Sequence, residues 1–138
     1  MSGEYVKVLK RRARSFLAEA ESAADPDLGM FFLEQAAQLY IKAVYYEVFG
    51  ETIRVHGLRE LLGLLAHSLK KHGYDKEAEK ITDFTSRNRG ILIVLEDAYI
   101  TGRYGELGYS INDVEEALPV VKRLIDLLEE VSGSVKLG

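Results

Sequence analysis

The chain predicts an all-α fold, an up-and-down four-helix bundle with an additional short or kinked helix. Three observations carry that reading. Apolar residues recur at three- and four-residue spacing along most of the sequence, which is the rhythm of an amphipathic helix. No stretch shows the period of two that a half-buried strand needs. Only two prolines occur and the turn signals are few, so the links between periodic segments are short. With 138 residues, 47% of them hydrophobic, the chain is long enough to build one core without staples. It reads as a single domain over 1–138, with the core at about 4–131 and a flexible tail at 132–138.

The first helix is expected over residues 4–24, where Val6, Leu9, Ala13, Phe16, Ala20 and Ala24 share one face. Asp25 and Pro26 stop it and start the next: Asp25 caps free amides, and Pro26 takes the first helical position, where its missing N–H costs nothing. The second helix runs to about Phe49 and ends at Gly50. The third spans about 56–71, with Leu58, Leu61, Leu62, Leu65 and Leu69 as its stripe, and closes at His72 and Gly73. Asp75 caps a long fourth helix whose stripe is Ile81, Phe84, Asn88, Leu92, Leu95 and Tyr99. Asn88 is the one polar residue in that stripe, and an interhelical hydrogen bond is its expected role. Ser110 and Asp113 form a capping box, with Asp in place of Glu, ahead of a fifth helix carrying Val114, Ala117, Val121, Leu124, Leu128 and Val131. Pro119 lies inside it and predicts a kink or a later start.

Composition narrows the function classes. The absence of cysteine removes disulfides and thiolate metal sites, and His56, His67 and His72 lack paired metal-ligand spacing. No metal and no cofactor is expected. Neither a signal peptide nor an apolar run of about 18 residues is present, which predicts a cytoplasmic protein without a membrane partner. The net charge of −4 argues against wholesale coating of nucleic acid but not against a local basic site. Charged residues make up 29% while Asn and Gln are scarce, a thermophile-like composition.

Two places exceed the needs of a core. The second helix has no wide polar face, yet Gln35, Gln38 and Lys42 form a narrow polar seam on it, continued by Tyr45 and Tyr46. A half-buried lysine needs an acceptor, so Lys42 points to an acidic partner or an anionic ligand, unless it snorkels to water while Gln35 bonds a neighbouring helix. So apolar a helix also suggests a leftover face for a twofold contact, hence a homodimer. The other place is Y-I-T-G-R-Y-G-E-L-G-Y-S, residues 99–110, where Arg103 and Tyr104 are expected at a turn. Such a loop holds a guanidinium and phenols against a ligand or partner, or its tyrosines merely cap the bundle. On the first helix Lys7, Lys10, Arg11 and Arg14 share a face, which meets phosphate, an acidic protein or only solvent.

Taken together these segments resemble the HEPN family, small helical domains named for higher eukaryotes and prokaryotes nucleotide-binding. The resemblance rests on F-F-L-E-Q-A-A-Q-L-Y-I-K-A-V-Y-Y-E-V-F-G at 31–50, similar to the family's Gln-Ala-Ala and Lys-Ala helix ending at glycine. His56-Gly57-Leu58 resembles its His-Asp-Leu step, with Gly57 departing, and Tyr99-Ile-Thr-Gly-Arg103-Tyr104 resembles its Tyr-Ile-Pro-x-Arg-Tyr-Pro turn, with Gly102 and Gly105 departing. The resemblance implies a usually dimeric bundle that often works with a minimal nucleotidyltransferase in toxin-antitoxin or stress modules. Its nuclease members carry an arginine, four to six residues and a histidine. Here Arg87-Asn88 opens such a motif, but Leu92, Ile93 and Val94 stand where histidine would follow. No ribonuclease activity of that type, and no catalytic residue, is therefore expected; His56 reads as bonding backbone or capping a turn rather than moving protons.

The leading expectation is a non-catalytic module that binds a nucleotide or RNA beside a separate nucleotidyltransferase. Its candidate ligand residues are Lys42, Arg103, Arg87 and Gln35, with Tyr99 and Tyr104 as stacking surfaces. The alternative is a dimeric interaction subunit, antitoxin-like or regulatory, with no ligand of its own; a degenerate or atypical HEPN ribonuclease comes third.

Overall fold

The computed structural model describes residues 2–104 and 108–137, apart from the side chains of residues 2, 101–104 and 137. Its helices are α1 (Ser2–Ser22), α2 (Pro26–Phe49), α3 (Leu58–Lys71), α4 (Asp75–Arg87), α5 (Arg89–Tyr104) and α6 (Ile111–Leu137), and no strand occurs among the described residues. α2 is the axis. It packs against α1, α3, α5 and α6, and Met30, Leu33, Ala36, Ala37, Tyr40, Ile41, Ala43 and Val44 are fully buried. Four helices of its own chain thus cover much of α2, while Phe31, Phe32, Leu39, Tyr46, Val48 and Phe49 on it stay half-buried. Leu28 is its one exposed large hydrophobic residue among those described.

The helix ends follow local chemistry. Asp25 accepts from the Asp27 amide at 2.9 Å and Pro26 opens α2. At the far end Gly50 adopts φ 70°, a left-handed conformation that favours glycine, and donates its N–H to the Tyr46 carbonyl. Ser110 and Asp113 form the expected capping box: the Ser110 amide donates to Asp113 Oδ2 at 2.8 Å, and the Asp113 amide donates to Ser110 Oγ at 3.2 Å. α6 thus starts at the box and continues through Pro119 to Leu137, which excludes a late start. Residues 132–137, expected as a flexible tail, are its last helical turns. Ser132 is buried and donates to Glu47 Oε1 at 2.6 Å.

Three further expectations are revised. The long fourth helix is two helices that meet at Asn88, which has φ −114° and ψ 20°. Its side-chain Nδ2 and its backbone N–H both donate to the Phe84 carbonyl, at 2.9 and 3.0 Å. Asn88 therefore bonds within its own helix rather than across to another. This is the local competition that makes asparagine a poor mid-helix residue. The expected turn at Arg103 and Tyr104 is instead the last turn of α5; Gly102 does not stop the helix, and Gly105 lies outside the described residues. The link over residues 50–57 returns along α2, so that α3 starts beside the middle of α2 and ends beside its last turn. His56 lies beside Gln38, Ser68 beside Tyr45 and His72 beside Phe49.

Candidate functional site

Glu34, Gln38 and Lys42 are spaced i, i+4, i+8 and so stack along one line of α2. At the bottom, Glu34 is 0% exposed. Its two carboxylate oxygens accept from Gln35 Nε2 and Gln38 Nε2, each at 2.7 Å. The other end of the Gln38 amide accepts from Lys42 Nζ at 3.1 Å. Lys42 Nζ also stands 3.1 Å from His56 Nδ1, which in turn is 3.2 Å from Gln38 Oε1. Nδ1 thus faces an ammonium that can only donate and an amide oxygen that can only accept: with the ring proton on Nε2 it accepts from Lys42, and with the proton on Nδ1 it donates to Gln38. Lys42 therefore gives at most two of its three N–H groups to Gln38 and His56. No acceptor for the third stands among the described residues.

The walls come from other elements. The Tyr99 ring of α5 lies with its centroid 6.0 Å from that of His56. Arg59 of α3 grips Glu96 of α5 with two guanidinium bonds of 2.8 and 3.0 Å, and its backbone N–H adds a third at 3.0 Å. Glu96 thus caps α3 from another helix, where no side chain of the link does: Gly57 is the N-cap and His56, expected to cap the turn, faces α2 instead. Burial opposes its charge, but the Arg59 bonds hold the Glu96 carboxyl below the usual range. Glu34 goes the other way. Burial pushes it up to about 7, against the amides of Gln35 and Gln38 and the charge of Lys42. Burial also lowers Lys42, with Glu34 opposing that shift.

Of the residues singled out from the sequence, Gln35, Lys42 and Tyr99 come together here. Arg87 does not: it pairs with Asp83 at 3.1 Å and lines a separate cleft of about 460 Å³ with Phe84, Asn88, Arg123 and Leu127. Arg103 and Tyr104 close α5, and their side chains lie outside the described residues. The basic face of α1 is divided. Lys10 binds Glu47 and Glu129 at 2.9 and 2.7 Å, and Arg14 donates to Tyr40 Oη at 2.8 Å, while Lys7 and Arg11 stay exposed. A groove of about 1040 Å³ between α3 and α4 mixes Lys70 and Lys76 with Asp75 and Glu79 and holds none of the candidates. Among the described residues no group of three His, Asp or Glu side chains can hold a metal ion.

Sequence reasoning passed over Glu34, Arg59 and Glu96. The signal for Glu34 was present, since a carboxylate in the middle of an apolar helix with glutamines one and four residues on must find donors or neutralise. Arg59 and Glu96 are 37 residues apart and left no such trace.

An all-helical domain with a central apolar helix and one polar seam opening at the start of α3 is the class that fold and site define. A family model for the HEPN domain matches residues 6–131, and the chain belongs to that family. No curated protein and no solved structure matches it.

Proposed function

We propose that the chain is a non-catalytic HEPN-type binding module for a nucleotide or nucleic-acid phosphate, with the α2 seam as its site, acting beside a separate minimal nucleotidyltransferase. The observation that carries this reading is the posture of Lys42. Its ammonium is half-buried, held beside Gln38 and His56, and keeps at least one N–H for a ligand oxygen. A fixed cation loses little entropy on meeting an anion, and partial burial strengthens the attraction. Tyr99 beside His56 offers a planar wall for a base. The missing Arg-to-His nuclease spacing supports a binding rather than a cleaving role.

Calorimetric titration of the full chain with ATP and with short single-stranded RNA tests this. Saturable heat that weakens with added salt is expected, with Lys42→Ala lowering affinity about tenfold or more. Arg103→Ala reports whether the end of α5 contributes. Binding unchanged in Lys42→Ala moves the site elsewhere. A second reading, a ligand-free interaction subunit and homodimer, is favoured by Ile100 and Ile111, which are 54% and 53% exposed on either side of the α5–α6 link. Light scattering that shows a dimer lost on Ile100→Glu, with no ligand heat, supports that reading instead.

A further inference from the structure

We propose that Glu34 takes up a proton when an anion engages Lys42, so that binding at the seam is proton-coupled; the inference rests on reading the seam as an anion site. Glu34 has no solvent of its own, being 0% exposed. As a carboxylate it relies on two amide donors, Gln35 and Gln38, and on the charge of Lys42, which reaches it through one intervening amide. Other charged and titratable groups among the described residues stand near it. Glu96 on α5 repels it, Arg59 on α3 is committed to Glu96, Arg89 acts on Glu96, and His56 on the link faces Lys42.

An anion at Lys42 offsets a cation that favours ionised Glu34 and adds a second like charge beside that of Glu96. The buried carboxylate then gains a proton from solvent, and the anion's charge is partly offset within the protein. The new O–H needs an acceptor. Rotating the Gln38 amide supplies its Oε1 to Glu34 and turns its NH₂ toward Lys42, where it becomes a second donor for the anion. The proton goes from buffer to Glu34, no bond other than O–H forms, and no other group changes charge. With burial holding the free carboxyl at about 7, the two states are close in energy where the coupling operates.

The test uses the full chain and a short single-stranded oligoribonucleotide without terminal phosphates, because phosphodiesters do not titrate near neutrality. Calorimetry near pH 7 in buffers of different ionisation enthalpy reads the protons taken up. A few tenths of a proton per bound ligand is expected near neutrality, fading toward pH 5 as Glu34 is already protonated. Glu34→Gln mimics the protonated acid, so it should bind without uptake and more tightly than wild type above pH 7. Buffer-independent heats in the wild type overturn the coupling, as does uptake that persists in Glu34→Gln and vanishes in His56→Gln. Should Glu34→Gln misfold, the ¹³Cδ titration of Glu34 in wild type decides: its midpoint should rise on adding RNA, and an unmoved midpoint sinks the idea. Buffer-independent binding that Lys42→Ala abolishes leaves the seam as the site and removes only the coupling; no RNA binding at all removes both.

Discussion

Glu34 and Glu47 are carboxylates on the same helix, and their surroundings push them in opposite directions. Burial raises Glu34 to about 7. Burial opposes the charge of Glu47 too, but Lys136, Ser132 and Lys10 bind it at 2.6, 2.6 and 2.9 Å and hold it down to about 2. The consequences for stability have opposite signs. Folded Glu34 holds its proton better than the unfolded chain does, so its contribution is full below pH 4.5 and is lost as pH rises through about 7. Glu34→Gln should remove a decline on the order of 2–3 kcal/mol across that window. Glu47 contributes above pH 4.5 and loses its contribution as pH falls toward about 2. Glu47→Gln should cost about 1–2 kcal/mol at neutral pH, after discounting for solvent, and little in acid. Urea unfolding of the three proteins from pH 3 to 8 checks both signs.

Among the elements, the termini obey rules that residues alone reveal, and the interruptions do not. Gly50 is the plainest terminus: a Cβ there meets nothing within 4 Å, so Gly50→Ala should cost only the left-handed backbone, about 1 kcal/mol, read by thermal or urea melts. The break at Asn88 was invisible to periodicity. Leu92 still donates to the Asn88 carbonyl at 3.0 Å, so the apolar stripe keeps its phase across the joint. The same blindness hid the helical state of residues 99–104, where glycines and tyrosines suggested a turn but the helix continues. At the start of α3 the cap comes from Glu96 rather than a local residue, and only the packing of α5 beside α3 provides it.

For the whole molecule, the order of burial sets the order of stability. α2 packs against four helices, so its amides should exchange slowest with deuterium, near the global unfolding limit, while the 50–57 link should exchange fast. Exchange in the middle of α2 as fast as in the link would contradict that central role. The described helices include none long and apolar enough to cross a membrane.

The sequence by itself determined that the chain is helical, where four of the six helices begin or end, and that it is a HEPN domain, because caps, periodicity and the 31–50 segment are local signals. It also marked Gln35, Gln38 and Lys42 as a seam, since polar residues are conspicuous on an apolar helix. Only the tertiary structure decided what the seam meets. His56, Tyr99, Arg59 and Glu96 reach it from the link, α5 and α3, and Arg87 is directed to another cleft. Such pairings depend on helix packing over tens of residues, and side-chain spacing along one helix carries no record of them.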